Sequence, residues 1–146
     1  MRVGVLNGVN LDVLGRRNSV HYGSLTLVEL ESRIYGWSRD LELTTRCRQT
    51  NHEGQFVEWC HDAGQWADGL VVNPGAWSHY SYAIHDALEI VDVPVVELHI
   101  SNVDEREEWR RHSVFDGLDL IIGKIYGKGA DGYREALELI AKRLLG

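Results

Sequence analysis

Apolar and polar residues alternate along the chain in blocks that predict strands and helices in turn. Short apolar or alternating segments predict five strands, at Val3–Leu6, Leu41–Cys47, Gly69–Val72, Pro94–Leu98 and Leu118–Ile122. Apolar residues at helical spacing predict four helices, at Leu25–Arg39, Gly54–Ala67, Ser78–Ile90 and Gly132–Leu145. A short charged helix is expected at Glu105–Arg111, and a mobile loop at Asn10–Gly23.

Most of these strands are apolar throughout, which indicates a parallel sheet covered by helices on both faces. Five strands alternating with helices predict the α/β class with a flavodoxin-like doubly wound five-stranded parallel sheet, formed by residues 1–146 as a single domain. In such sheets ligands bind at the carboxyl ends of the strands. We therefore expect chemistry in the segments that follow strands one, three and four.

The overall charge narrows the range of partners. The chain has 146 residues and a net charge of −7, from 15 basic and 22 acidic side chains, which argues against nucleic acid and anionic membranes as partners. A small anionic substrate stays possible, because a local arginine cluster can override the overall sign. Cys47 and Cys60 belong to no metal or redox motif and are expected to be reduced and buried. No secretory or membrane-spanning segment stands out, so a cytoplasmic location is expected.

The segments after strands one, three and four are unusually polar. Their polar residues are Asn7, Asn10, Arg16, Arg17, His21 and Tyr22, then Asn73, Ser78 and His79, then His99, Ser101, Asn102, Arg106 and Arg110. Each of these residues alone is more often structural than functional. Their convergence at one edge of the sheet is what indicates a site.

Most standard catalytic motifs are missing. The sequence has no nucleotide-binding loop, no zinc-protease motif and no carboxylate–histidine cluster with ligand spacing, so we expect no metal and no cofactor. The three lysines, Lys124, Lys128 and Lys142, follow the fourth strand and are expected to lie away from the site, which disfavours an imine mechanism.

Once metal, cofactor and imine mechanisms are disfavoured, the remaining reaction type is acid–base chemistry on an anionic substrate. Tyr22 is a candidate base, because the nearby arginines favour a phenolate. His99 is a candidate acid, and Glu97 lies on the same face of the strand two residues earlier. The backbone N–H groups of Ile100–Ser101, and Asn73, could bind a carboxylate.

Four motifs in order resemble the type II 3-dehydroquinate dehydratase family. They comprise Asn7-Gly8-Val9-Asn10-Leu11 with Leu14-Gly15-Arg16-Arg17 and Tyr22-Gly23, then Asn73-Pro74-Gly75-Ala76 with Ser78-His79 and Asp86-Ala87, then Glu97-Leu98-His99-Ile100-Ser101-Asn102 with Arg106-Glu107 and Arg110-Arg111-His112-Ser113, and finally Gly132-Tyr133 with Ala136-Leu137. The resemblance covers nearly the whole chain.

The resemblance implies a cofactor-independent hydro-lyase that converts 3-dehydroquinate to 3-dehydroshikimate by anti elimination through an enolate. It implies a cytoplasmic dodecamer built from trimers, with the segment Leu14–Tyr22 as a lid. The implied roles are Tyr22 as base, Arg17 as the group holding its phenolate, Asn10 as the holder of a water that stabilises the enolate, and His99 as acid assisted by Glu97. Substrate would be bound through its carboxylate by Asn73, Ile100 and Ser101, through its ring hydroxyls by His79 and Arg110, and by Asp86 of a neighbouring subunit.

The chain departs from the usual family pattern at Val9, at Asn18-Ser19 in the lid, at Tyr80 and at His85. These departures leave two alternatives open: the same elimination on a modified dehydroquinate analogue, or a flavodoxin-like binding protein without activity. The second alternative gives no reason to retain Tyr22, Arg17 and His99 together. The sequence also leaves open whether the enzyme serves aromatic amino acid biosynthesis, quinate breakdown or a specialised pathway.

Overall fold

The computed structural model describes residues 1–146 and contains one parallel five-stranded sheet with strand order β2-β1-β3-β4-β5. The strands are β1 (Arg2–Asn7), β2 (Thr44–Gln49), β3 (Gly69–Asn73), β4 (Val95–His99) and β5 (Ile121–Tyr126). This order has its reversal between β1 and β3, so the flavodoxin-like doubly wound prediction is confirmed.

Helices cover both faces of the sheet. They are α1 (Ser19–Tyr22), α2 (Leu27–Asp40), α3 (Glu53–Trp66), α4 (Tyr82–Glu89) and α5 (Asp131–Leu145). Apolar residues of α2 and α5 pack with Val3 and Val5 on one face, whereas those of α3 and α4 pack with Leu6 on the other. Because neighbouring residues of a strand face opposite layers, burial of both layers accounts for the continuous apolar runs. No helix is both long enough and apolar enough to cross a bilayer.

Two strands lie further along the chain than predicted. Leu41 caps the end of α2, and Leu43 packs in the same core cluster as α2 and α5. β2 begins after both leucines, at Thr44. Leu118 belongs to a hydrogen-bonded turn, and β5 begins at Ile121 and continues through the polar residue Lys124. In both cases apolar residues of a connecting turn imitate the start of a strand.

The helix predicted at Ser78–Ile90 is interrupted. A 3-10 turn at Gly75–His79 ends at Tyr80, and the Ser81 side chain then accepts a hydrogen bond from the backbone of Ile84 to cap a separate α4. The helix expected at Glu105–Arg111 is likewise two 3-10 turns, Val103–Glu105 and Glu108–Arg111. These breaks turn polar side chains toward the carboxyl ends of the strands.

The segment expected to be an irregular loop has regular structure. It forms a 3-10 helix at Leu11–Arg16 and then α1, and buried Leu11 and Leu14 anchor it to the core. Asn51, which follows β2, accepts a hydrogen bond from the Asn10 backbone N–H at 2.8 Å and donates one to the Asp12 carboxylate at 2.9 Å. The segment is therefore fastened at its start, whereas α1 contributes no buried residue.

Candidate active site

An open cleft lies at the carboxyl ends of β1, β3 and β4. Its lining residues are Val9, Asn10, Leu11, Arg17, Tyr22, Asn73, Gly75, Ala76, His79, His99, Ile100, Ser101, Val103, Arg106 and Arg110. The lining contains three arginines and no carboxylate. This cleft is thus electrostatically suited to an anion, although the chain as a whole has a net charge of −7.

Tyr22 is held by two guanidinium groups. Its phenol oxygen accepts hydrogen bonds from Arg17 Nη2 at 2.6 Å and from Arg106 Nη1 at 2.5 Å. The Arg17 guanidinium also stacks on the Tyr22 ring, with Cζ 3.7 Å from the ring centroid. Burial lowers the pKa of Arg17, and the contact with Tyr22 partly offsets that effect. An oxygen that accepts two charge-assisted hydrogen bonds is arranged as an acceptor, which is what a general base requires.

His99 lies at the end of β4 beside a buried carboxylate. Its Nε2 is 3.8 Å from Glu97 Oε2, an ion-pair distance rather than a hydrogen bond. The Ser113 hydroxyl donates to Glu97 Oε1 at 2.5 Å. Burial by itself would raise the pKa of Glu97, but the contacts with His99, Ser113 and Lys124 outweigh it and hold that pKa below its usual range. The predicted spatial pairing of Glu97 with His99 is therefore present in the structure.

His79 stands between His99 and Trp109. Its ring stacks on that of His99 with centroids 6.2 Å apart, and the Trp109 ring packs edge-on against it at 5.1 Å. His79 Nδ1 lies 2.6 Å from the carbonyl oxygen of His112, which fixes the tautomer with Nδ1 as donor. Burial lowers the pKa of His79, so a neutral ring with an acceptor Nε2 is favoured near neutral pH.

Asn73 is fixed by a buried hydrogen-bond chain that runs across the sheet. Its amide donates to the Tyr133 hydroxyl at 2.8 Å, and that hydroxyl donates to Asn7 Oδ1 at 2.7 Å. The backbone N–H of Gly75 donates to the Asn73 side-chain oxygen at 3.2 Å. Full burial raises the pKa of Tyr133, which keeps the hydroxyl protonated in this chain. Asn73 therefore presents a fixed amide to the cleft.

The remaining predicted residues divide into two groups. Asn10, Ile100, Ser101 and Arg110 line the cleft beside Tyr22 and His99. Arg110 pairs with Glu107 and stacks on Trp109, with Cζ 4.1 Å from the ring. Asp86 is different, because it lies on α4, outside the cleft of its own chain, with a side chain that is 76% exposed.

Asp86 belongs to a small surface cluster that the sequence analysis missed. His85 Nδ1 lies 2.9 Å from Asp86 and 3.7 Å from Glu89, and the ligand atoms of the three residues lie within 4.8 Å of one another. The expectation that no histidine–carboxylate cluster has ligand spacing is therefore wrong. The spacing H-D-x-x-E, which places His85 and Glu89 one helical turn apart, was visible in the sequence.

The expectation that all three lysines lie away from the site is also wrong. Lys124 on β5 pairs in register with Glu97 on β4, and its Nζ lies 3.9 Å from the Glu97 carboxylate. The predicted fifth strand ended at Ile122, whereas β5 continues to Tyr126. Lys124 therefore lies within the strand, next to β4. Lys124 does not line the cleft, so it is not placed to attack a bound substrate.

Sequence reasoning also missed the partners that hold the site together. Arg106 was noted only as near the fourth strand, yet it binds the Tyr22 oxygen and, at 3.2 Å, the Ser101 hydroxyl. Ser113 and Tyr133 were quoted within motifs but given no role. Tyr133 could have been found as the polar member of the apolar stripe of α5, four residues before Leu137.

Comparisons with known proteins agree with one another. The sequence profile of the family described as dehydroquinase class II matches residues 1–141. The 3-dehydroquinate dehydratase of Deinococcus radiodurans is 51% identical over 141 residues, covering 96% of this chain and 97% of the relative. That of Pelobacter propionicus is 48% identical over 145 residues, covering 99% and 95%. The crystal structure of type II dehydroquinase from Propionibacterium acnes superimposes with a TM-score of 0.92 at 42% identity, covering 97% of this chain and 96% of that one.

Proposed function

The chain belongs to the class II dehydroquinase family and is a hydro-lyase of the shikimate pathway that dehydrates 3-dehydroquinate, and we propose that Tyr22 and His99 carry out the two proton transfers of that reaction. The observation that carries this assignment is the tyrosine oxygen held by Arg17 and Arg106 in a cleft without a carboxylate. No other lining residue combines an acceptor oxygen with two cationic donors.

In the first step the Tyr22 phenolate takes the proton from C2 of the substrate. The C2–H electron pair moves into the bond to C3, and the C3 carbonyl becomes an enolate oxygen. Asn10, which lines the cleft near Tyr22, holds a water that donates a hydrogen bond to this oxygen. Arg17 and Arg106 remain bound to the tyrosine oxygen throughout, so the base is fixed before the substrate arrives.

In the second step the enolate collapses and the C1–O bond breaks. His99 gives a proton to the departing hydroxyl, which leaves as water, while the C1–C2 double bond of the product forms. Glu97 lies 3.8 Å from His99 and stabilises its protonated form before transfer. Tyr22 takes a proton from C2 and His99 gives one to the hydroxyl on C1, so before the next turnover Tyr22 releases its proton and His99 regains one through solvent.

The substrate is oriented by the polar groups around these two residues. Asn73, Ile100 and Ser101 bind the carboxylate, and His79 and Arg110 bind ring hydroxyls. The fixed amide of Asn73 and the fixed tautomer of His79 support these roles. Neither residue has to reorganise when the substrate binds, which lowers the entropic cost of binding.

The proposal extends to the assembly. We place residues 1–146 in a single domain that acts in the cytoplasm without metal or cofactor. The assembly we propose is a dodecamer built from trimers. Asp86 supports this arrangement, because it is exposed on α4 and absent from its own cleft, as expected of a residue that reaches into a neighbouring subunit's site.

The decisive experiment follows the ultraviolet absorbance of the conjugated enone product after 3-dehydroquinate is added. We expect the absorbance to rise with the wild-type protein, equally with and without EDTA, because no step uses a metal. A Tyr22→Phe variant serves as the control for enzyme contamination. A flat signal with wild-type protein that is shown to be folded would contradict the function, and loss of the signal in EDTA would contradict the metal-free mechanism.

A further inference from the structure

We infer that Lys124 is a positioning residue for this reaction: it holds Glu97 as a carboxylate and sets how tightly the Glu97–His99 pair retains the proton that His99 delivers. This inference rests on the proposed role of His99 as acid. Lys124 does not touch the cleft and acts through Glu97 alone.

The position of Lys124 follows from the sheet register. Glu97 and Lys124 are paired across β4 and β5, so their side chains project from the same face of neighbouring strands. The Lys124 Nζ is 3.9 Å from Glu97 Oε2, the same oxygen that lies 3.8 Å from His99 Nε2. One carboxylate oxygen therefore lies between an ammonium group and the catalytic imidazole.

Burial reduces the solvent screening of this contact. Glu97 is 1% exposed and Lys124 is 26% exposed, so solvent screens their attraction less than it would on the surface. When His99 gives up its proton, Glu97 loses one of its two cationic neighbours. Lys124 then remains as the only cation beside a buried carboxylate, and a lone buried charge is costly.

The other groups around this pair are few. Ser113 donates a hydrogen bond to Glu97, and Asp116, which is 60% exposed, lies 3.5 Å from Lys124 and competes with Glu97 for its charge. On the opposite side His79 stacks on His99, and Arg110 lies near His79. Lys124 and Asp116 are charged, and neither belongs to the residues that we place in the catalytic or binding machinery, so both can be changed to test the inference.

Lys124→Met and Asp116→Asn should shift the basic limb of the kcat–pH profile in opposite directions. Without the ammonium group of Lys124, the deprotonated Glu97–His99 pair has an uncompensated negative charge, so the pair holds its proton to higher pH. Lys124→Met should therefore raise the basic limb of the kcat–pH profile by about one pH unit, and lower kcat near pH 7 several-fold. Asp116→Asn leaves more of the lysine charge to Glu97 and should move the same limb downward by a smaller amount.

The test measures kcat and KM from pH 6 to 10, together with NMR titration of the His99 imidazole in the same variants. Lys124→Arg keeps the charge and should restore wild-type behaviour, while Lys128→Met is the control, since Lys128 pairs with Glu135 on the surface. KM should change little in all four variants.

The NMR titration separates the inference about Lys124 from the proposal that His99 is the acid. If the midpoint of the His99 titration is the same in Lys124→Met and wild type, or if Lys128→Met moves it equally, the inference about Lys124 is overturned. If the midpoint moves but the kcat limb does not, Lys124 acts as inferred and the acid role of His99 fails. If Lys124→Met does not fold, the deciding measurements are the His99 midpoints of Asp116→Asn, which should be lower than in the wild type, and of Lys124→Arg, which should match it. Absence of the Asp116→Asn shift then overturns the inference.

Discussion

At the scale of single residues, the cleft is shaped by the number of partners that the Tyr22 oxygen and the Glu97 carboxylate each have. The Tyr22 oxygen accepts two guanidinium hydrogen bonds, and Glu97 is surrounded by His99, Ser113 and Lys124. By contrast, Cys47 and Cys60 have no cationic neighbour of this kind, and burial raises the pKa of each thiol to about 12. Both thiols are therefore expected to stay protonated near neutral pH; Cys60 is buried as predicted, whereas Cys47 is only half-buried.

Removing the Tyr22 hydroxyl should abolish most turnover. Tyr22→Phe keeps the ring that stacks on Arg17 but loses the base, so kcat should fall at least about 100-fold with a small change in KM. Arg17→Ala should also lower kcat severely, because one of the two donors to the base is lost. Steady-state kinetics on both variants would measure this, and near wild-type kcat in Tyr22→Phe would mean that another group is the base.

A suitable control for Tyr22→Phe is Tyr35→Phe. Tyr35 also accepts a hydrogen bond through its phenol oxygen, from the Cys47 backbone N–H at 3.1 Å, but it lies on α2 away from the cleft. Its kinetics should match those of the wild type, which would show that loss of a phenol hydrogen bond is not enough to stop turnover.

At the scale of the elements, the sequence predicted which segments are strands and helices better than where they end. The buried strands β1, β3 and β4 were placed within one residue at every end, and their apolar runs stop at Asn7, Asn73 and His99. β2 and β5 were displaced, because leucines of the preceding turns pack into the core in the same way as strand residues do. Because the predicted fifth strand ended before Lys124, the sequence analysis did not place this residue beside Glu97. The error in the bounds of β5 thus led to an error about the surroundings of the site.

The site itself was predictable as a set of residues but not as a network. Position after a strand was enough to predict that Asn10, Tyr22, Asn73 and His99 converge, because carboxyl ends of parallel strands share one edge. The hydrogen bond from Arg106 to Tyr22 spans 84 residues, and no local pattern encodes it. Contacts of this kind depend on side-chain direction, which spacing alone does not fix.

We predict that the start of the segment 10–23, part of which the family resemblance implies to be a lid, controls substrate binding. Asn51 binds both the Asn10 backbone and the Asp12 carboxylate, so Asn51→Ala frees the first turn of the segment that contains Tyr22. Loss of hydrogen bonds worth about 1 kcal/mol should lower kcat/KM about fivefold, while thermal stability changes little because these groups are exposed. Kinetics together with limited proteolysis of residues 10–23 would measure both effects.

The control is Gln65→Ala, an exposed polar residue on α3 away from the segment. Equal proteolysis of Asn51→Ala and Gln65→Ala, with equal kcat/KM, would show that Asn51 does not restrain the lid.

At the scale of the whole molecule, the charges are separated. The cleft has three arginines and no carboxylate, whereas the chain has 22 acidic residues against 15 basic ones. The acidic exterior includes the His85, Asp86 and Glu89 cluster on α4. Such a surface repels other anions in general, so the positive cleft is the place where an anionic substrate is attracted.

We predict a closed oligomer whose association depends on pH through His85. Histidine changes charge between pH 5 and 8, and His85 already lies 2.9 Å from Asp86, the residue proposed to reach the neighbouring subunit. Charging His85 strengthens its pairing with Asp86 within the helix and alters what Asp86 offers to a partner. Sedimentation from pH 6 to 8.5 should show this dependence in the wild type but not in His85→Arg, which is charged throughout.

Two outcomes would contradict different parts of the prediction of a closed, pH-dependent oligomer. A monomer at every pH would contradict the oligomer. An oligomer that responds neither to pH nor to His85→Arg would contradict only the role of His85.

The chain from Asn73 through Tyr133 to Asn7 also determines when the enzyme can first exist during its synthesis. The hydrogen bond between Tyr133 and Asn7 spans 126 positions, so Asn7 is synthesised well before Tyr133, on which both buried amides depend. Until α5 emerges and docks, Asn7 and Asn73 have no buried partner for the groups that bind Tyr133, and the apolar face of the sheet that α5 covers is open to solvent. Because Tyr133 is synthesised after Asn7 and Asn73, we expect the cleft to take its final form only when α5 has docked.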